Sequence, residues 1–290
     1  MAPRLWRSLA DSSKGQNQTP DIPSEELMIN RRSLPEKVSD HLLWWGGLSI
    51  LPVLAAQGMK VRRNILRLPP AAPPFYGSSK GGDQDFYLYV TGESSAAGVG
   101  ALTHSTALIG CLADRLSEAL DVHVRWRAIG KNGIKAEELR RDILPATLLP
   151  ALKDGRADLI VIALGVNDAK GVTSRKQWRR DVCGMISDIR LYSQSPIILA
   201  GLPPVQKFSA LPSPLSKVLG ARARLLDRDL ASAAEQWQGV LHMPLSSELG
   251  VGNLALDGFH PSEKGYALWA ENLAGGFLAD FCSNLTEPLA

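Results

Sequence analysis

Cysteine is scarce in this chain of 290 residues. Cys111, Cys183 and Cys282 are far apart, odd in number and without a CxxC spacing. A disulfide framework or a structural zinc site is therefore not expected. Cys111 and Cys183 fall in stretches of helical periodicity, where a thiol serves as a small buried hydrophobe. The five histidines contain no HxxxH or HExxH pair, which argues against a metal hydrolase. No Gly-Lys-Ser/Thr follows a glycine-rich turn, so a phosphate-binding P-loop is absent too. The chain also lacks a long hydrophobic run. Its longest, residues 42–56, falls short of the roughly 20 apolar residues that span a bilayer core, and it contains Gly46, Gly47 and Pro52.

The net charge is only +3, but it is unevenly spread. Residues 1–82 carry 11 Lys/Arg against 6 Asp/Glu, and the remainder carries 21 against 23. A faintly acidic body lacks the clustered basic face of a nucleic-acid reader. The positive charge instead sits beside the apolar run, which points towards a membrane surface.

Residues 1–40 are polar and aperiodic and are expected to be mobile. The segment 41–66 combines Leu42-Leu43-Trp44-Trp45 and Leu48–Ala56 with Lys60, Arg62 and Arg63. It starts too late for an ordinary secretory signal, an objection that initiation at Met28 would weaken. Two readings stand: a helix docked on the body, or a monotopic anchor with tryptophans at the interface. The location expected is cytoplasmic with peripheral membrane association, the alternative being export with an uncleaved N-terminal anchor. Residues 67–84, rich in Pro, Gly and Ser, read as a linker whose removal leaves a working body beginning near Asp83.

From Asp85 onward strands and helices alternate. Strands are expected at Phe86–Val90, Val122–Ala128, Leu159–Leu164, Ile197–Ala200 and Val240–Met243. Helices are expected at about Val99–Leu120, Lys135–Leu152, Ser174–Tyr192, Leu215–Trp237 and Ser262–Phe281. This pattern predicts an α/β fold with a five-stranded parallel sheet covered on both faces. Ligands of such sheets bind at the carboxyl ends of the strands. Ser94 follows the first strand there, Gly133 the second, Asn167 and Asp168 the third, and His260 the last.

Each motif has an ordinary structural reading as well. Gly92-Glu93-Ser94 would suit a turn with a helix cap, and it is not a GxSxG elbow because Ala96 stands at the second glycine position. Gly165-Val166-Asn167-Asp168 and Gly130-Lys131-Asn132-Gly133 would suit polar turns. Functionally, an amide side chain or a glycine N–H there can approach a developing oxyanion. Asp257-Gly258-Phe259-His260-Pro261 places a carboxylate three residues before a histidine. With Ser94 this makes a candidate Ser-His-Asp set, in which the carboxylate orients the histidine and the histidine takes the serine proton. Ser262 can N-cap the following helix. His41, His104, His123 and His242 read as structural or surface residues.

In this order, the four blocks resemble the SGNH (GDSL-type) superfamily of serine esterases and lipases over roughly residues 85–282, leaving 283–290 as a tail. Glu93 departs from the aspartate usual at that position. The resemblance implies a flavodoxin-like three-layer α/β/α sandwich, no metal and no organic cofactor. It implies catalysis by Ser94, His260 and Asp257, with an oxyanion hole from the N–H of Ser94, the N–H of Gly133 and the Asn167 amide. The implied activity is cleavage of short-chain or lipid-like carboxylic esters through an acyl-enzyme. Alternatives are an acyltransferase or carbohydrate O-acetyl esterase with the same triad, or a non-catalytic membrane-tethered binding module. The expected partner is a small ester or lipid-like substrate, not nucleic acid.

Overall fold

The structure, a computed structural model, describes residues 34–245 and 252–282. Residues 1–33 of the segment expected to be mobile, and the tail 283–290, lie outside the described residues. The body is a mixed α/β unit whose central sheet is flanked by helices. It contains β1 (Tyr76–Ser79), β2 (Asp85–Gly92), β3 (His123–Gly130), β4 (Leu159–Ala163), β5 (Ile197–Ala200) and β6 (Val240–Met243), in the order β1-β3-β2-β4-β5-β6.

β2 lies at the centre, with Val90 beside Ala128 of β3 and Val161 of β4 in parallel register. Its Phe86, Leu88 and Val90 point to one face and are fully buried. They pack against α3 (Leu108–Leu120) and α7 (Glu263–Phe277), which bring Leu108, Leu112 and Leu116, and Tyr266 and Phe277. The other face is covered by α5 (Arg175–Arg190), α6 (Leu215–Ala234) and a broken helical run over 136–154. Every residue of β4 is buried, as its continuous apolar run requires.

Three expectations need correction. The sheet has six strands, because β1 pairs antiparallel with β3 inside the stretch read as a linker. Tyr-Gly-Ser-Ser has no hydrophobic period, so nothing local marks it. Gly77 is required there, since a Cβ would stand 2.3 Å from the Trp126 ring. The expected helix from Val99 begins only at Leu108, because the backbone after Ser94 is spent on turns, Ala97 N–H donating to Glu93 O and Val99 N–H to Ser94 O. The expected helix Lys135–Leu152 is interrupted, consistent with Pro145 and Pro150, which supply no N–H to a helical ladder.

The apolar N-terminal segment forms α1 (Leu34–Gly47) and α2 (Leu51–Asn64), bent by 85° at the intervening turn. No single helix among the described residues is long and apolar enough to cross a membrane. α1 docks on α6 through Asp40, which is buried and accepts from Arg224 Nε at 2.7 Å and Arg228 at 2.8 Å. Burial opposes the Asp40 charge, but the two guanidinium groups prevail and hold its pKa below the usual carboxylate range. On α2, Gln57 donates to Ser213 O and accepts from Leu215 N–H.

Candidate active site

The carboxyl edge of the sheet gathers the suspected residues. β2 ends at Gly92 and delivers Glu93 and Ser94; β3 ends at Gly130, shortly before Gly133. β4 ends at Ala163 and leads through Gly165 into α4 (Val166–Lys170), which carries Asn167 in its first turn. Asn167 thus belongs to a short helix, where the sequence suggested a polar turn. Asp257 and His260 lie on the segment that closes into α7. Ser262 N-caps that helix as expected, accepting from Gly265 N–H at 3.2 Å.

The Asp257–His260 pair is held by geometry within its own loop. Asp257 Oδ1 accepts from the N–H groups of Phe259 and His260, each at 3.0 Å, which tightens the turn. Its Oδ2 stands 2.6 Å from His260 Nδ1. Burial alone would raise the Asp257 pKa, but the His260 ring and these two N–H groups bring it below the ordinary value. Phe259 meets Phe208 edge-on at 4.8 Å between ring centroids and the His260 ring at 5.2 Å.

Ser94 and His260 line the same pocket, with Leu164, Pro203, Phe208 and Leu254 among its walls. The pocket is narrow, about 40 Å³. Neither the Ser94 N–H nor the Gly133 N–H has a hydrogen-bond partner among the described residues. Gly133 has φ +88°, and a Cβ there would meet nothing within 4 Å. Backbone conformation, not crowding, therefore requires glycine at this position. The Asn167 side-chain amide donates to Ile134 O at 3.0 Å, which places it beside the Gly133 loop.

The roles of two residues, Glu93 and Lys170, went unrecognised in the sequence. Glu93 is buried, and its carboxylate accepts from Val166 N–H at 2.9 Å and Asn167 N–H at 3.0 Å. It thereby caps α4, tying the strand that carries Ser94 to the helix that carries Asn167. Burial pushes its pKa up to about 7, against the pull of those N–H groups and of Lys170. Lys170 is itself pushed down by burial, with Glu93 opposing, and its ammonium stands 4.7 Å over the Phe259 ring. An acidic residue at the strand end, where the superfamily has a shorter one, was the available signal. Asp168 supplies a further tie: Ala136 N–H donates to its Oδ2 at 3.0 Å, joining the Gly133 loop to α4.

The remaining histidines separate cleanly. His242 Nε2 lies 2.9 Å from Asp227 Oδ1, which also accepts from Leu202 N–H, a satisfied structural pair away from Ser94. His104 is buried edge-on against Phe75 at 5.5 Å, with burial lowering its pKa. Among the described residues no group of three or more His, Cys, Asp or Glu is arranged to hold a metal.

Comparison with solved structures returns the same architecture. A lipase from a goat rumen metagenome (Lip_vut3) superposes with TM-score 0.54 at 18% identity, covering 66% of this chain and 96% of the other. TesA gives 0.53 at 23%, covering 66% and 97%. A G-D-S-L family lipolytic protein from Veillonella parvula gives 0.50 at 15%, covering 68% and 98%. No curated protein matches the chain. The family model for GDSL-like lipases and acylhydrolases matches residues 90–268, and so spans all four blocks from Ser94 to His260. The chain belongs to this GDSL-like lipase/acylhydrolase family of hydrolytic enzymes.

Proposed function

We propose that the protein hydrolyses carboxylic esters through an acyl-enzyme on Ser94. The observation that carries this reading is the 2.6 Å contact between His260 Nδ1 and Asp257 Oδ2 at the wall of a pocket that Ser94 also lines. With Nδ1–H donated to the carboxylate, Nε2 is left as the base. Nε2 takes the Ser94 proton as Oγ attacks the carbonyl carbon. The N–H groups of Ser94 and Gly133 and the Asn167 amide then receive the oxyanion. On collapse the carbon–alkoxide bond breaks, and His260 returns its proton to the leaving alcohol. Water, activated by the same imidazole, then splits the acyl-enzyme and frees the acid.

A volume of about 40 Å³ holds only a few waters' worth of space, which supports a short acyl group. A chain-length series of p-nitrophenyl esters tests this, with turnover highest for the shortest acyl chains. Labelling by a serine-directed organophosphonate should fall on Ser94. Labelling of Ser95 alone, or unchanged turnover in Ser94→Ala, overturns the reading. Adding acceptor alcohols to the assay separates hydrolysis from acyl transfer, since a transferase would form the new ester.

A further inference from the structure

The N-terminal helices present two opposite stripes. At 100° per residue, Asp40, Trp44 and Gly47 of α1 fall on one side of the helix, and Val38, Leu42 and Trp45 on the other. The first stripe faces the body: Asp40 and Gly47 are buried, and Trp44 lies beneath Arg222. The second stands in solvent, with Leu42 67% and Trp45 64% exposed. α2 repeats the arrangement, Leu54 and Val61 turned inward and Met59 62% exposed. The segment is therefore docked and still leaves an apolar face without a partner among the described residues.

Charge indicates what covers that face. Between Asp40 and Asp83 the chain contains no acidic residue, while Lys60, Arg62, Arg63 and Arg67 occur there. None of these four makes an ion pair among the described residues. An apolar stripe flanked by unpaired basic residues complements an anionic lipid surface, with the side chains entering the acyl boundary and the cations at the headgroups.

The docking contacts lead directly to the pocket. Arg224 holds Asp40 and, through its other nitrogen, Gln206 at 3.1 Å. Gln206 precedes Phe208 in the turn that lines the pocket, and Gln57 fastens Ser213 and Leu215 just beyond it.

We infer that α1 and α2 form a lipid-surface docking element, a bent pair of helices that holds the catalytic pocket beside an anionic membrane. The substrate class is then a short-acyl ester whose alcohol portion is amphiphilic and resides in that surface. This substrate assignment rests on the ester-hydrolase reading, whereas the docking does not. The test is flotation of the full chain carrying Ser94→Ala with phosphatidylcholine–phosphatidylglycerol vesicles, at low and high salt, beside phosphatidylcholine vesicles alone. Binding should require the anionic lipid, weaken with salt, and fall about tenfold or more when Leu42→Asp and Trp45→Asp are added. The same pair in the otherwise native chain should leave hydrolysis of a water-soluble ester unchanged, showing that the fold persists. Absence of vesicle binding, or equal binding by the doubly substituted chain, overturns the inference. So does a dimer, seen by sedimentation, that the pair dissociates while vesicles bind neither form, since a second copy would then cover the face. Flotation without ester hydrolysis would overturn the catalytic reading and leave the docking intact.

Discussion

Glu93 accepts the main-chain N–H of Asn167 at 3.0 Å, so the residue preceding Ser94, the proposed nucleophile, fixes the position of a proposed oxyanion donor 74 residues away. Glu93→Ala would leave the N–H groups of Val166 and Asn167 without their carboxylate in a buried setting. It is expected to cost roughly 2–4 kcal/mol of stability and to lower kcat more than it raises KM. Denaturation and steady-state kinetics on one preparation check both.

The same carboxyl makes stability depend on pH. Its pKa is about 7 in the fold against an ordinary 4.5, so the folded state favours the protonated form. The resulting stabilisation is full below 4.5 and is lost as pH rises through 7. Native protein should therefore lose up to about 3 kcal/mol relative to Glu93→Gln between pH 5 and 8. Parallel unfolding curves for the two proteins across this range would fail the prediction.

Asp257 behaves with the opposite sign. Its folded pKa lies below the ordinary 3.8, so the stability it contributes is present above that value and lost as pH falls through the folded one. Asp257→Asn should flatten the acid limb of the stability profile. It should also cut kcat by several orders of magnitude, since the amide no longer selects the same imidazole tautomer. In combination with His260→Ala the losses should be far from additive, because the two act as one unit. A fully additive double variant would separate them.

Asn167→Ala should lower kcat by about 100- to 1,000-fold with little change in KM, the signature of a donor used in the transition state. Gly133→Ala meets no clash but must hold φ +88°. It should cost about 1–2 kcal/mol of stability, measured by chemical unfolding, along with a rate loss from displacement of its N–H.

Ser94, Gly133 and Asn167 were legible because each sits within a few residues of a strand end, and buried strands announce themselves. Asp257 and His260 are three residues apart, so their contact is local and readable. Glu93 and Asn167 are 74 residues apart, and only the β2–β4 pairing brings them together. Lys170 reads as an ordinary helix-end cation until Phe259 is seen beneath it. The docked α1 was legible as one of two alternatives, because Asp40 gives no sign of Arg224 and Arg228 184 and 188 residues away. β1 stayed hidden because it borrows its register from β3 and carries no period of its own.

That edge strand has a bearing on where the chain can be shortened. β1 occupies the outer ladder of β3, whose N–H and C=O groups would otherwise form an open row beside the exposed side chains of Arg125 and Arg127. A chain beginning near Asp83 keeps the whole catalytic edge and still loses this cover. Its liability would be pairing between copies through bare β3 edges, a concentration-dependent loss of solubility unrelated to lipid. A cut placed ahead of Ala71 retains the cover while still removing both N-terminal helices.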